Sequence, residues 1–130
     1  MLFFDICRCP PKKPVIDAFA GVGGNAIQFA KAGLDVTAIE IDATKCAMLK
    51  HNASIYGVEH SIDIICGNCL EWITENEEWI NQSEATIFLA PPWGGPNYSM
   101  KQVSRVLNLR MKFRNCVLTF GRHSQYRNLA

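Results

Sequence analysis

The sequence predicts a doubly wound α/β fold with a mostly parallel sheet. Short β-branched runs alternate with helical patterns, the connections between them are short, and a glycine cluster follows the first run. Alternation with short crossovers brings successive strands in parallel through right-handed connections. The chain of 130 residues suffices for one domain, and 48% apolar with 19% charged residues is ordinary for a globular fold. No apolar run reaches the roughly 20 residues of a membrane span, and no membrane contact is expected. Met1-Leu2-Phe3-Phe4 lacks a basic leader and meets Asp5 at once, unlike a secretory signal. An α/β core has no need of disulfides, so the six cysteines are read as reduced thiols.

Residues 1–14, with Pro10-Pro11-Lys12-Lys13-Pro14, read as an extension and linker. The core is placed at 15–120. Val15–Phe19 is a buried strand, and Asn25–Ala32 a helix stopped by Gly33. Asp35–Ile41 is a second strand, after which Asp42 can cap a helix with Cys46, Leu49, Ala53 and Tyr56 on its inner face. Ser61–Cys66, the helix Leu70–Ile80 and the strand Ala85–Ala90 follow. A helix over Met100–Met111 should turn Val103, Val106 and Leu107 inward, before a fifth strand at Cys116–Phe120. The pattern stops there, as if the sheet were truncated after the fifth strand. Residues 121–130 are read as a basic tail.

The net charge of +1 conceals a division. All twelve acidic residues lie within positions 1–100, whereas seven of the thirteen basic residues lie within 101–130. A cationic end on an acidic body suggests a polyanionic partner such as RNA, or else a solvated face.

The loop Asp17-Ala18-Phe19-Ala20-Gly21-Val22-Gly23-Gly24-Asn25 links the first strand to its helix. Gly21, Gly23 and Gly24 permit close approach of a ligand. An acid at Asp17 would repel a pyrophosphate but suits a cation, and S-adenosylmethionine carries an ammonium and a sulfonium. Glu40, ending the second strand, can accept two ribose hydroxyls. Asn68 stands where an adenine edge should lie, or else serves as a helix cap. After the fourth strand comes Ala90-Pro91-Pro92-Trp93-Gly94-Gly95-Pro96-Asn97-Tyr98. Carbonyls of Pro91 and Pro92 are free to accept from an exocyclic amine, and the Trp93 face can stack on a base, best on one bearing positive charge. Zinc is not expected, because Cys7-x-Cys9 is too tight a half-site to pair with Cys66-x-x-Cys69. No other metal cluster is apparent.

These motifs resemble those of the trimethylguanosine synthase family. The likeness runs over residues 14–98, through the glycine loop with Ile27-Gln28-Phe29-Ala30, Ala38–Asp42, Asn52-Ala53-x-x-Tyr56-Gly57, Ile65-Cys66-Gly67 and, most distinctive, Pro91–Tyr98. The resemblance implies a methyltransferase (Rossmann-like) fold and methylation of N2 in the 7-methylguanosine cap of small nuclear and nucleolar RNAs. It implies S-adenosylmethionine as donor, held by Asp17 and Glu40. Trp93 would stack on the methylated guanine, with Tyr98 and Arg122 as further substrate contacts. It also implies a nuclear and cytoplasmic location, a monomer, and small ribonucleoprotein proteins as further partners. Three positions depart from the family: Ala90 replaces a serine, Asn68 an acid and Glu40 an aspartate. The family's helical segment before the core has about thirteen residues in its place here. A silent donor- or cap-binding module, or a methyltransferase for another exocyclic amine, are the alternatives.

Overall fold

The computed structural model describes residues 13–91 and 99–119, and the backbone of 127–128. Apolar, β-branched runs form the strands β1 (Val15–Asp17), β2 (Val36–Glu40), β3 (Ile62–Cys66), β4 (Thr86–Leu89) and β5 (Cys116–Leu118). A short β6 (Arg127–Asn128) follows. The sheet order is β3-β2-β1-β4-β5-β6, with every pairing parallel except β5 with β6. The chain winds outward from β1 to β3, then returns to place β4 on the other side of β1. This reversal opens a crevice at the carboxyl ends of β1 and β4, where ligands of such sheets bind. The register pairs Asp17 with Ala38 and with Phe88, and Glu40 with Cys66, so the candidate carboxylates stand at that end.

The helices α1 (Gly24–Lys31) and α2 (Ala43–Ile55) pack on one face, where Phe29, Leu34, Ala38, Leu49 and Phe88 form a core. Phe29 meets Phe88 edge to face at 5.3 Å and ties α1 to β4. On the other face lie α3 (Cys69–Glu75), α4 (Glu77–Ser83) and α5 (Met100–Lys112), closed over Ile16, Ile39, Ile73, Ile87 and Val106. Burial on both faces explains the nearly unbroken apolar runs of β1 and β4. Among the described residues no helix is long and apolar enough to cross a membrane.

The structure differs from expectation in four places. The helix expected over Leu70–Ile80 is two helices, broken at Asn76, whose φ of −112° and ψ of 17° leave the helical region. Its side chain donates to the Trp72 carbonyl at 2.8 Å, a local competitor for the backbone ladder. Tyr56 is the C-cap of α2 and turns outward beneath Lys31, whose ammonium lies 5.3 Å from its ring. In α5, Leu107 is exposed and Leu109 takes the inward place beside Val106. Finally, the sheet does not stop at its fifth strand. The backbone of Arg127 and Asn128, within the segment read as a tail, pairs antiparallel with Leu118 and Val117.

Candidate active site

The glycine loop is held by backbone bonds to both neighbouring strands. Ala18 N–H donates to the Phe88 carbonyl at 3.1 Å, and Ala20 N–H to the Ile39 carbonyl at 3.0 Å. The turn then requires left-handed backbone at Gly21 (φ 58°) and Gly23 (φ 102°). A Cβ at Gly23 would lie 2.2 Å from Leu49 Cδ1, so Leu49 of α2 packs against this turn only because the residue has no side chain. Asn52 of α2 donates from Nδ2 to the Val22 carbonyl at 2.9 Å and fixes the loop from above. Among the described residues no side chain caps α1, and with Ala26 N–H turned to Asp17 the amides of Gly24 and Asn25 are left for an anionic group.

Two carboxylates flank this loop and behave differently. Asp17 is 1% exposed, and neither of its oxygens has a hydrogen-bond partner among the described residues. Burial pushes its pKa up to about 7, opposed by the Phe19 and Ala26 backbone amides, which approach the carboxyl without completing a hydrogen bond, and assisted by the Glu40 charge. A buried, unpartnered carboxyl group is costly unless a ligand completes it. Its position beside the loop fits the ammonium of S-adenosylmethionine. Glu40 is instead engaged. Its Oε1 accepts from Gly21 N–H at 3.0 Å and its Oε2 from Asp42 N–H at 2.8 Å. Glu40 thus pins the glycine loop to the start of α2, while each oxygen keeps a lone pair for a ribose hydroxyl. Replacing Glu40 with alanine is expected to cost about 2 kcal/mol of stability through these charge-assisted bonds. Urea unfolding checks this, and an unchanged midpoint would remove Glu40 from the loop's support.

Asn68 Oδ1 accepts from Leu70 N–H at 2.8 Å and from Glu71 N–H at 3.5 Å, so its carbonyl caps α3. Only its amide nitrogen is left for an adenine edge. Asp42 likewise caps α2 through Lys45 N–H at 3.1 Å. Gly24 is exposed at the first turn of α1. Pro91 is buried just beyond β4, and Ala90 packs against the α1–α2 core. Pro92, Trp93, Tyr98 and Arg122 lie outside the described residues. The structure therefore gathers Asp17, the glycines, Glu40 and Asn68 at one end of the sheet, with Pro91 across the switch point. Two further residues support the site through contacts that the sequence does not reveal: Asn52, which holds the Val22 carbonyl, and Cys46, whose thiol donates to the Glu40 carbonyl at 3.2 Å. Burial pushes the thiols of Cys46 and Cys69 up to about 11 and that of Cys116 up to about 12. They stay protonated at neutral pH and offer no thiolate nucleophile.

Comparison with known proteins places this geometry. The RNA cap guanine-N2 methyltransferase family matches residues 12–126. Trimethylguanosine synthase of Schizosaccharomyces pombe is 47% identical over 90 residues, covering 68% of this chain and 37% of that protein. Trimethylguanosine synthase of Saccharomyces cerevisiae is 30% identical over 94 residues, covering 72% of this chain and 30% of that protein. The chain thus spans only about a third of the length of either relative. A SAM-dependent methyltransferase from Neisseria gonorrhoeae shares the fold with a TM-score of 0.66 at 19% identity, over 95% of this chain and 57% of that one. An RNA methyltransferase from Salinibacter ruber, solved with S-adenosyl-L-homocysteine, gives 0.60 at 20% identity over 88% and 65%.

Proposed function

The chain belongs to the RNA cap guanine-N2 methyltransferase family, and we propose that it binds S-adenosylmethionine and directs its methyl to N2 of a 7-methylguanosine RNA cap. The observation that carries this reading is the buried Asp17 beside the glycine loop, without a hydrogen-bond partner among the described residues, at the end of the strand that pairs with β4. When bound, the donor supplies an electrophilic methyl on a sulfonium. Asp17 receives the donor's ammonium, the uncapped start of α1 its carboxylate, Glu40 its ribose hydroxyls and the Asn68 amide its adenine. On the other side, the Pro91 and Pro92 carbonyls accept from the guanine N2 amine and orient its lone pair. Trp93 stacks on the 7-methylguanine, with Tyr98 and Arg122 as further contacts to the capped RNA. Catalysis then rests on positioning and requires no covalent intermediate.

An RNA of the small nuclear or nucleolar class is the substrate this family membership favours. Nuclear and cytoplasmic location, small ribonucleoprotein companions and a monomeric state go with that reading. Tritium transfer from S-adenosylmethionine to 7-methylguanosine-capped RNA, run beside a donor-binding titration, tests it. Trp93→Ala is expected to weaken cap binding by about 1–3 kcal/mol, the range for a base stacked on an aromatic side chain. Preference over unmethylated guanosine should shrink with it, because the cation–π attraction is lost. Equal cap binding by wild type and Trp93→Ala would sink the cap reading.

A second reading, a silent binding module, is favoured by Ala90 in place of the family's serine. Ala90→Ser should raise the transfer rate and leave donor affinity unchanged. Donor binding without transfer in both proteins would select the silent module.

A further inference from the structure

Helix α5 carries three separate faces. At about 100° per residue, Val106 and Leu109 fall in the sector buried against the sheet. Lys101, Arg105, Asn108 and Lys112 fall on a second line, within an arc of about 60° and over a length of about 16 Å. Between Ser99 and Ala130 the chain has no acidic residue. Solvated helix faces ordinarily interleave both signs of charge, and this one does not. Lys112 pairs with Glu77 at 2.8 Å, whereas no ion pair among the described residues engages Lys101 or Arg105. A third sector, beside the cationic line, exposes Met100 (81%), Leu107 (39%) and Met111 (82%).

The placement of this helix matters as much as its charge. A capping box, with Gln102 N–H donating to Ser99 Oγ at 3.3 Å and Ser99 N–H to Gln102 Oε1 at 2.7 Å, fixes where α5 begins. That start directly follows the 92–98 segment carrying Trp93 and Tyr98. A cap held by that segment has an RNA chain attached, and the next charged surface in sequence is the cationic line of α5.

We propose that Lys101 and Arg105 receive phosphates of the single-stranded RNA that follows the cap, while Met100, Leu107 and Met111 offer apolar contact to its unpaired bases. Charge complementarity selects RNA, and the adjoining exposed apolar sector favours a strand whose bases are not hidden in a duplex. This inference rests on the proposed cap reading and adds to it a binding surface outside the methyl-transfer site.

The test compares a 7-methylguanosine cap dinucleotide with a capped, unstructured RNA of twelve nucleotides. Both are titrated against the full chain at several salt concentrations. The RNA should bind at least tenfold more tightly than the dinucleotide at low salt and with a steeper salt dependence. In the double variant Lys101→Gln/Arg105→Gln the slope of log K against log salt for the RNA should flatten by about 1.4, two phosphates at 0.7 each for a single strand. Dinucleotide affinity should not change. Both positions are exposed, and thermal melting of the variant checks that the fold is intact. Equal affinities and slopes for the two probes, or an unaltered RNA slope in the variant, would overturn the proposal. If poly-glutamate binds as tightly as RNA and loses the same affinity in the variant, the surface serves acidic chains and RNA is overturned as its partner. Loss of dinucleotide binding alone, with the RNA slope still dependent on Lys101 and Arg105, would sink the cap reading and leave this surface standing.

Discussion

Gly23→Ala is expected to destabilise the protein by about 2–4 kcal/mol, the sum of a backbone and a packing effect. At φ 102° an L-residue is strained wherever it sits. The added methyl would also stand 2.2 Å from Leu49 Cδ1, and Leu49 is 0% exposed within the core joining α1 to α2. Leu49 Cδ1, and Ile27 Cδ1 at 3.2 Å, are side-chain ends and can yield, but only by repacking a fully buried cluster. Gly21→Ala supplies the comparison. Its φ of 58° lies in the ordinary left-handed region and nothing stands within 4 Å of its Cβ position, so about 1 kcal/mol is expected. Urea unfolding of the two variants decides. Comparable losses at both positions would mean that the backbone conformation matters and the contact with Leu49 does not. Donor affinity should follow the same order, because the loop that Gly23 closes is also supported by Glu40 and Asn52.

Much of the architecture was legible because its cause is local. Val15, Ile16, Ile87, Phe88 and Leu89 form runs too apolar for a half-exposed strand, and a sheet covered by helices on both faces is where such runs belong. Asp42 and Asn68 were readable as helix caps from their place before helical runs, and both bond as caps. The break at Asn76 was not readable. Glu71 to Ile80 keeps a helical spacing, and the outcome depends on one amide side chain bonding back to Trp72 and on Trp72 meeting Trp79 edge-on at 6.3 Å. Leu107 misled for a related reason. Hydropathy assigned it inward, but the helix rotates to bury Leu109, and the sector holding Leu107 is left to solvent.

At the site, strand order brings the expected residues to one end of the sheet but does not foretell every bond among them. That an acid at Glu40 faces a glycine loop follows from strand order. That both of its oxygens would already hold backbone amides does not, because Gly21 reaches Glu40 only once β1 and β2 are paired in register. Asn52 lies thirty positions from the Val22 carbonyl it holds. Its role is a tertiary contact with no periodic signal, although its presence in a motif with Tyr56 and Gly57 marked it. Asp17 is the opposite case. Its burial follows from its place in a strand covered on both faces, and the lack of a hydrogen-bond partner among the described residues is what makes it a candidate ligand group.

Asp17→Asn is expected to act on stability and on donor binding in opposite directions. Burial keeps the Asp17 carboxyl protonated up to about pH 7, against an ordinary value of 3.8. The unfolded chain gives up that proton near pH 4. Between about pH 4 and 7 the native state therefore holds one proton more than the unfolded state, and stability must fall as pH rises through this window. Below pH 4 the contribution is fully present, and above 7 it is gone. The span corresponds to a loss on the order of 4 kcal/mol. Asparagine cannot ionise and leaves a comparable polar group unpartnered, so the variant should lack this slope and exceed wild type in stability at pH 8. Donor binding should go the other way. An ammonium beside Asp17 stabilises the carboxylate, so the wild type should release a proton on binding S-adenosylmethionine at pH 6. Losing that charge-assisted contact should weaken binding by about 1.5–3 kcal/mol. Unfolding at pH 5 and pH 8, with calorimetric titration in two buffers of different ionisation enthalpy, measures both effects. Parallel pH–stability curves for the two proteins would show that the carboxyl is neither buried nor unpartnered as the fold has it. An unchanged donor affinity would detach Asp17 from the ammonium and return it to the loop as a structural residue.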